Sequence, residues 1–415
     1  MLKNAIRSEF LGAYQRWVIN GCPASDFFKL VSFIKAHSLM SPEETWGFES
    51  AVRLPEEFSL ELRRGAGVVG GRVYPEAVVP EELVRIKLPR TLLEQPLPSS
   101  CLEGLHAAPA GQIWRLQDTR MWLALWQQAV FIGDDLVQEL TNHAGWNSAA
   151  ALVGVEPQRL KGRTAVLYTE GASLLSHWLF DTVPKFDVLC KYGLSLSDID
   201  HFILADCSQS FHIEALQRLG IPESKIVVPT PAGRFYALDD AFVVSNVRHN
   251  FIAGAWVFEA ARQIYGQTGA AARTDLKLYI SRSRANRRRI LNESELIPLL
   301  YDRGYSIVWA ELMSVSTIGS IIAGADRFVS LHGAGIANSA FGRGGLKVLE
   351  LYGRHLSSEY GVNSSTCGFD HALVGVTDDQ GLMPWEGTSM RDFHQENAQN
   401  VVIDPGLFAA ALDSL

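Results

Sequence analysis

Cysteine is sparse and unpatterned in this chain. The five cysteines, Cys22, Cys101, Cys190, Cys207 and Cys367, are scattered, and no pair has metal-ligand spacing. Neither a disulfide framework nor a zinc site is indicated. Buried thiols in a reducing compartment are the plain reading. Long apolar runs are missing too: no stretch approaches the ~18–20 uninterrupted apolar residues of a transmembrane helix. The first residues set Lys3, Arg7, Glu9 and Arg16 among apolar neighbours, without the unbroken apolar core or small-residue cleavage site of a secretory signal. A cytoplasmic protein is therefore expected, free or peripheral to the inner membrane face. Positive charge is also short. A net charge of −8 argues against a general nucleic-acid binder.

What is present suits a large α/β protein. A length of 415 residues suggests two domains or one large one, and 47% hydrophobic residues suffice for the cores. Residues 1–110 read as an N-terminal extension, loop-rich or partly helical, packed on the first domain. Within it, residues 27–37 have helix-type apolar spacing and residues 65–71 form a glycine-rich turn. From about residue 110, strands and helices alternate. Strands are expected near 165–168, 202–205, 225–228 and 239–244, with helices over 176–189 (kinked at Pro184), 210–219 and 251–265. A small-residue linker over 266–275 marks a boundary. Beyond it come strands at 276–280, 306–308, 327–331 and 347–351, with helices over 292–302 and 314–323. This alternation implies mostly parallel sheets in two facing α/β domains, 111–265 and 266–375. Residues 376–415 form a C-terminal segment that could cross back to the first domain.

Three stretches carry chemistry. In residues 326–352 a buried strand runs into His332-Gly333-Ala334-Gly335, then a short helix from Ile336 containing Asn338 and Ser339, then a second strand with Glu350 inside it. The glycines allow a sharp turn and close approach to a ligand, and free N–H groups at a helix start suit a phosphate. A carboxylate beside such a loop suggests a hydroxyl-binding group, such as one for a ribose. In the second stretch, Tyr279-Ile280-Ser281-Arg282 is followed by Arg284, Arg287, Arg288 and Arg289. So dense a cluster at the carboxyl end of a strand reads as a local anion site. Arg282 and Arg287 are the preferred phosphate ligands, Arg288 and Arg289 being equally suited to surface or ion-paired roles. The competing reading is a solvated loop. In the third, His177 and Asp181 lie four apart and share a helix face. Either could handle a proton near neutral pH. The competing reading is that Asp181 only orients His177, or that His177 is a satisfied core histidine.

Together these motifs resemble glycosyltransferase family 61: His177-Trp178-Leu179 with Pro184, Tyr279-Ile280-Ser281-Arg282 with Arg287-Arg288 and Asn292-Glu293, and His332-Gly333-Ala334-Gly335 with Asn338 and Val348-Leu349-Glu350. The resemblance covers about 165–355. It departs at Lys185, where arginine is usual, at Asp181, where glutamate is common, and at Ala337, where threonine is frequent. It implies a GT-B architecture of two Rossmann-like domains with parallel sheets facing across a cleft. It also implies inverting, metal-independent transfer from a nucleoside diphosphate donor, expected to be UDP-linked, to a glycan hydroxyl. No further cofactor is called for, and bacterial members act in capsular or cell-surface polysaccharide synthesis. The implied site sets the diphosphate between Arg282 and Arg287 and the turn of Gly333, Ala334 and Gly335. Asn338 or Ser339 touches a phosphate, Glu350 the ribose, and His332 the diphosphate or sugar. The base is Asp181 or His177, with Asp181 preferred and Asp206 and His212 in reserve. A homo-oligomer is compatible. A non-catalytic nucleotide- or glycan-binding partner, and another GT-B enzyme such as an epimerase, are the competing functions.

Overall fold

The computed structural model describes residues 75–124, 127–132, 135–137, 140–141, 156–230, 233–266, 275–385 and 399–415. The expected helix over 27–37, the turn at 65–71 and nearly all of the linker lie outside these. Four strands come from the extension: β1 (Glu76–Val79), β2 (Glu82–Ile86), β3 (Arg90–Thr91) and β4 (Gly104–Ala108). β2 and β4 pair with each other, β1 adds to a first large sheet and β3 to a second. The extension, expected on the first domain, therefore reaches both sheets. Arg90 holds the β3 edge through a two-pronged pair with Asp370, each prong 2.9 Å.

The first sheet contains β5 (Gly111–Ala124), β6 (Gln127–Ile132), β7 (Asp135–Leu136), β8 (Gln158–Val166), β9 (His201–Ile203), β10 (Ile226–Val227) and β11 (Arg234–Val244). Its order is β10-β9-β8-β11-β5-β6-β7. Pairing is parallel from β10 to β11 and antiparallel from β11 to β7. The Rossmann-like expectation of a parallel sheet thus holds for one half only. β5 and β6 are two residues apart, too few for the crossover that a parallel pair requires. Helices α1 (Val183–Lys191) and α2 (Ser210–Arg218) supply the crossovers in the parallel half.

α3 (Ala255–Ile264) leads to the second sheet: β12 (Leu276–Ile280), β13 (Tyr305–Val308), β14 (Ala325–Leu331), β15 (Lys347–Tyr352) and β16 (Asp370–Gly375). With β3 its order is β13-β12-β14-β15-β16-β3, and every pair is parallel. Helices α4 (Glu293–Asp302), α5 (Val315–Ala323) and α6 (Glu359–Cys367) connect it. The chain ends in a β17 (Thr377–Asp378) and β18 (Val401–Val402) pair and helix α7 (Pro405–Ser414). Among the described residues no helix is long and apolar enough to cross a membrane.

Strand periodicity sorts the cores. Phe328 and Val348 face a core shared with Trp178, Phe180 and Phe258 of the first half. Their neighbours Val329, Leu331, Leu349 and Leu351 face the other way, onto Phe408 and Leu412 of α7. The C-terminal helix therefore packs on the second sheet and does not cross back. Burying each of these large side chains contributes roughly 1.5–3 kcal/mol, so the shared core ties the halves firmly.

Two local departures shape the site. The expected kinked helix is a short turn, Leu175–His177, then a π-helical turn, Trp178–Thr182, then α1 with Pro184 in its first turn. Proline's missing N–H matters little at a helix start, and the π turn absorbs the misfit. The helix expected from residue 251 starts only at Ala255, because Asn250 and Phe251 are both left-handed, with φ of 49° and 66°.

Candidate active site

β14 and β15 end side by side. His332 Nδ1 lies 2.5 Å from Glu350 Oε1, and His371 Nε2 lies 2.9 Å from Oε2. The Nδ1 of His371 in turn meets Ser364 Oγ at 2.8 Å. Glu350 is 1% exposed. Burial acts to raise its carboxyl, but the two imidazoles outweigh this and hold it at about 2. The glutamate expected at a ribose is thus bonded to His332 at one oxygen and within ion-pair distance of His371 at the other. With Nδ1 occupied, Nε2 of His332 is the nitrogen available to a ligand in the pocket that His332 lines.

The glycine turn works differently from its expectation. Ile336–Phe341 is a 3₁₀ segment whose first N–H groups, on Ile336, Ala337 and Asn338, donate to the carbonyls of Gly333, Ala334 and Gly335. These donors are therefore spent. Asn338 is buried and donates to Gly335 O at 3.0 Å, closing the turn, and Ser339 is buried beside it. Ala334 and Gly335 stay half-buried at the turn. Gly333 has φ of 140°, and a Cβ there would meet the Arg288 guanidinium at 3.0 Å. Here glycine is required. A Cβ on Gly335 would find its nearest neighbour at 3.4 Å.

The arginine loop is shaped by Glu293, which accepts from Tyr279 Oη (2.7 Å), Arg282 N (2.9 Å) and Ser281 Oγ (3.1 Å). Arg282 is buried and spends Nη2 on Arg287 O at 2.8 Å, with Nε toward Arg288 O at 3.3 Å. Arg287 is exposed. Arg288 takes φ of 54° and turns inward over Gly333. Its Nε is buried without a partner. Burial, then Arg282, lowers the Arg288 guanidinium to about 10. Burial, then His332 and Arg288, lowers His355 to about 4. Arg288, His332 and His355 line one open pocket with Arg354, Asp378 and Asn400. Such a concentration of crowded positive groups suits an anion. Asn292 reaches Glu295 at 3.4 Å and pins Ile403, just past the C-terminal strand, at 2.7 and 3.0 Å.

On the first half, His177 Nδ1 meets Asp181 Oδ2 at 2.8 Å. Asp181 also receives both prongs of Arg248, at 2.5 and 2.8 Å. Burial would raise the Asp181 carboxyl, yet Arg248 and His177 hold it at about 2. So placed, Asp181 orients the imidazole. Gly171 lies against the His177 ring, where a Cβ would meet it at 2.9 Å. Lys185 is buried, bonded to Tyr168 O at 2.8 Å, and lowered by burial to about 8. His212 is a core histidine, held by Ala172 O and Gln209 N, and Asp206 accepts from Ser208 N in a turn. Tyr360 joins the two regions. Its ring lies 5.3 Å from that of His332, and its hydroxyl bonds Ser176, the neighbour of His177.

The structure thus brings together His177, Asp181, Arg282, Arg288, His332, Gly333 and Glu350, with Arg287 exposed on the same loop and its charge felt by Arg282, Arg288 and His355. Sequence reasoning passed over Arg248, Tyr360 and His371 and preferred Arg287 to Arg288. A lone arginine before His249-Asn250-Phe251 carries no local pattern, and His371 sits among apolar strand residues as a core residue would.

Two bacterial structures share a distant likeness. One is the iron-containing dodecameric glycosyltransferase TibC from enterotoxigenic E. coli H10407, at 11% identity over 73% of this chain and 93% of that one, TM-score 0.28. The other is TibC, a dodecameric iron-containing heptosyltransferase, in complex with ADP-D-beta-D-heptose, at 12% identity over 73% and 90%, TM-score 0.27. No curated protein matches the chain. Residues 175–349, which run from the His177 turn to the strand of Glu350, match the family model described as Glycosyltransferase 61, and the chain is a glycosyltransferase.

Proposed function

We propose that this glycosyltransferase moves a sugar, with inversion and without a bound metal, from a nucleoside diphosphate donor to a glycan hydroxyl. The observation that carries the reading is Arg288 folded over Gly333, its Nε unpaired, beside His332 and His355. A fixed guanidinium, with imidazole hydrogen-bond donors beside it, can offset diphosphate charge as it grows on the leaving group. A UDP-linked donor follows from the family resemblance. The two sheets are read as the halves of a GT-B arrangement, the second holding the donor.

His177 is the proposed base. A carboxyl held at about 2, with both oxygens engaged, takes protons poorly at neutral pH. Asp181 instead fixes Nδ1 of His177, and Nε2 removes the acceptor proton. The acceptor oxygen then attacks the anomeric carbon from the face opposite the diphosphate. The sugar–oxygen bond breaks, its electron pair leaves on the diphosphate, and the configuration inverts. His332, oriented by Glu350, presents Nε2 to the leaving group. The reading extends to a cytoplasmic enzyme of capsular or cell-surface polysaccharide synthesis, peripheral to the membrane if its acceptor is.

The test is a panel of nucleotide sugars screened by thermal shift, followed by product analysis. Specific stabilisation by one donor and a glycoside of inverted anomeric configuration are expected. Release of only free sugar or an epimer, or stabilisation by no nucleotide sugar, would overturn the reading.

A further inference from the structure

Arg248 follows β11 and lies between the two sheets. Its Nε and Nη2 donate to Asp181 at 2.5 and 2.8 Å, and its Nη1 to Glu359 at 2.6 Å. Its side chain is 4% exposed. Asp181 belongs to the π turn of the first half, and Glu359 opens α6 of the second. One guanidinium therefore grips a carboxylate from each half. Beyond Asp181 stands His177. Beyond Glu359 the next residue is Tyr360, whose ring meets His332. The contacts run from the acceptor-side histidine to the donor-side one without a gap.

The surroundings are built for this arginine. Phe180 and Phe251 both lay their rings against it, at 5.5 and 5.4 Å. Phe251 does so from a left-handed backbone, in a two-residue turn closed by reciprocal His249 and Ile252 bonds of 3.1 and 2.9 Å. A bulky residue in that conformation is strained, and such strain persists where surrounding structure enforces it. Only a planar fork of five donors can serve two carboxylates at once, a task that lysine's point charge cannot do.

We infer that Arg248 is a positioning residue for transfer, setting the His177–Asp181 pair against the donor-holding helix of the other half. The inference rests on the reading of His177 as base. Burial disfavours the guanidinium charge, but the two carboxylates outweigh this and raise its pKa.

The test uses the full chain and the nucleotide sugar that the wild-type enzyme turns over in a UDP-, GDP-, dTDP- and ADP-sugar panel. Arg248→Lys should lower kcat by about 100-fold while binding of the nucleoside diphosphate changes less than about 3-fold. Glu359→Gln, which leaves Arg248 on Asp181, should lower kcat by about 10-fold. Combined with His177→Ala, Arg248→Lys should cause no further loss, because both act through one group. A merely structural arginine would lower kcat, diphosphate binding and thermal stability in step, and its effect would persist beside His177→Ala. Either result, or an Arg248→Lys enzyme with wild-type kcat, overturns the inference. Should Arg248→Lys fail to fold, Glu359→Gln decides alone, an unchanged kcat counting against it. A His177→Ala enzyme that still transfers refutes the base reading, whereas an active Arg248→Lys enzyme refutes only the role of Arg248.

Discussion

His332 and Glu350 form a buried pair, 2.5 Å between Nδ1 and Oε1, at the ends of adjacent parallel strands. The pair favours reading the glutamate as the support of His332 rather than as a ribose ligand. Glu350→Gln should weaken nucleotide-sugar binding by about 10-fold or more, since breaking a buried pair at one partner is costly, about 3–5 kcal/mol. It should leave the ratio of UDP to 2′-deoxy-UDP affinity unchanged. Titration calorimetry with both nucleotides checks this, and a ratio that collapses toward one would return Glu350 to the ribose.

Asp181 and Glu350 are both held at about 2, below their ordinary 3.8 and 4.5. A depressed carboxyl stabilises the fold above its unfolded pKa, and that stability is lost as pH falls through the folded one. Each contribution is on the order of 2 kcal/mol, fully present above about pH 5 and draining away toward pH 2. Thermal melts across that window should show a steep acid limb. Asp181→Asn and Glu350→Gln should each flatten it.

His355 is lowered to about 4 in a pocket of positive neighbours. A bound diphosphate would stabilise its charged form and raise its pKa. Nucleotide-sugar binding near pH 5.5 should therefore take up as much as one proton and tighten as pH falls from about 6.5. Calorimetry in buffers of different ionisation enthalpy measures the uptake. His355→Ala should abolish it.

The two glycines of the turn are not equivalent. Gly333→Ala meets both a φ of 140° and the Arg288 guanidinium at 3.0 Å, whereas Gly335→Ala meets nothing nearer than 3.4 Å. Gly333→Ala should weaken donor binding by about 10-fold, from strain on the order of 1–2 kcal/mol, and Gly335→Ala by little. Arg288→Ala should likewise exceed Arg287→Ala in its effect on donor binding. Equal losses at both arginines would contradict the inward turn of Arg288.

What the sequence disclosed follows from where the signal was local. β12 and β15 were legible because short apolar runs, Leu278-Tyr279-Ile280 and Val348-Leu349, mark them, and the pairing of His177 with Asp181 because a spacing of four survives even in a π turn. The choice of Arg288 over Arg287 rests on one left-handed backbone angle, which no composition reveals. Arg248 lies 67 residues from Asp181 and 111 from Glu359, so only the fold brings them together. The antiparallel side of the first sheet was hidden for the same reason: alternation identifies a strand, not its partner.

The central claim is that His177, steadied by Asp181, takes the acceptor proton. The most direct measurement is turnover and donor affinity of His177→Ala, read side by side. The account predicts a fall in transfer of about 100-fold or more with donor binding within about 3-fold of wild type. Transfer at the wild-type rate would contradict it.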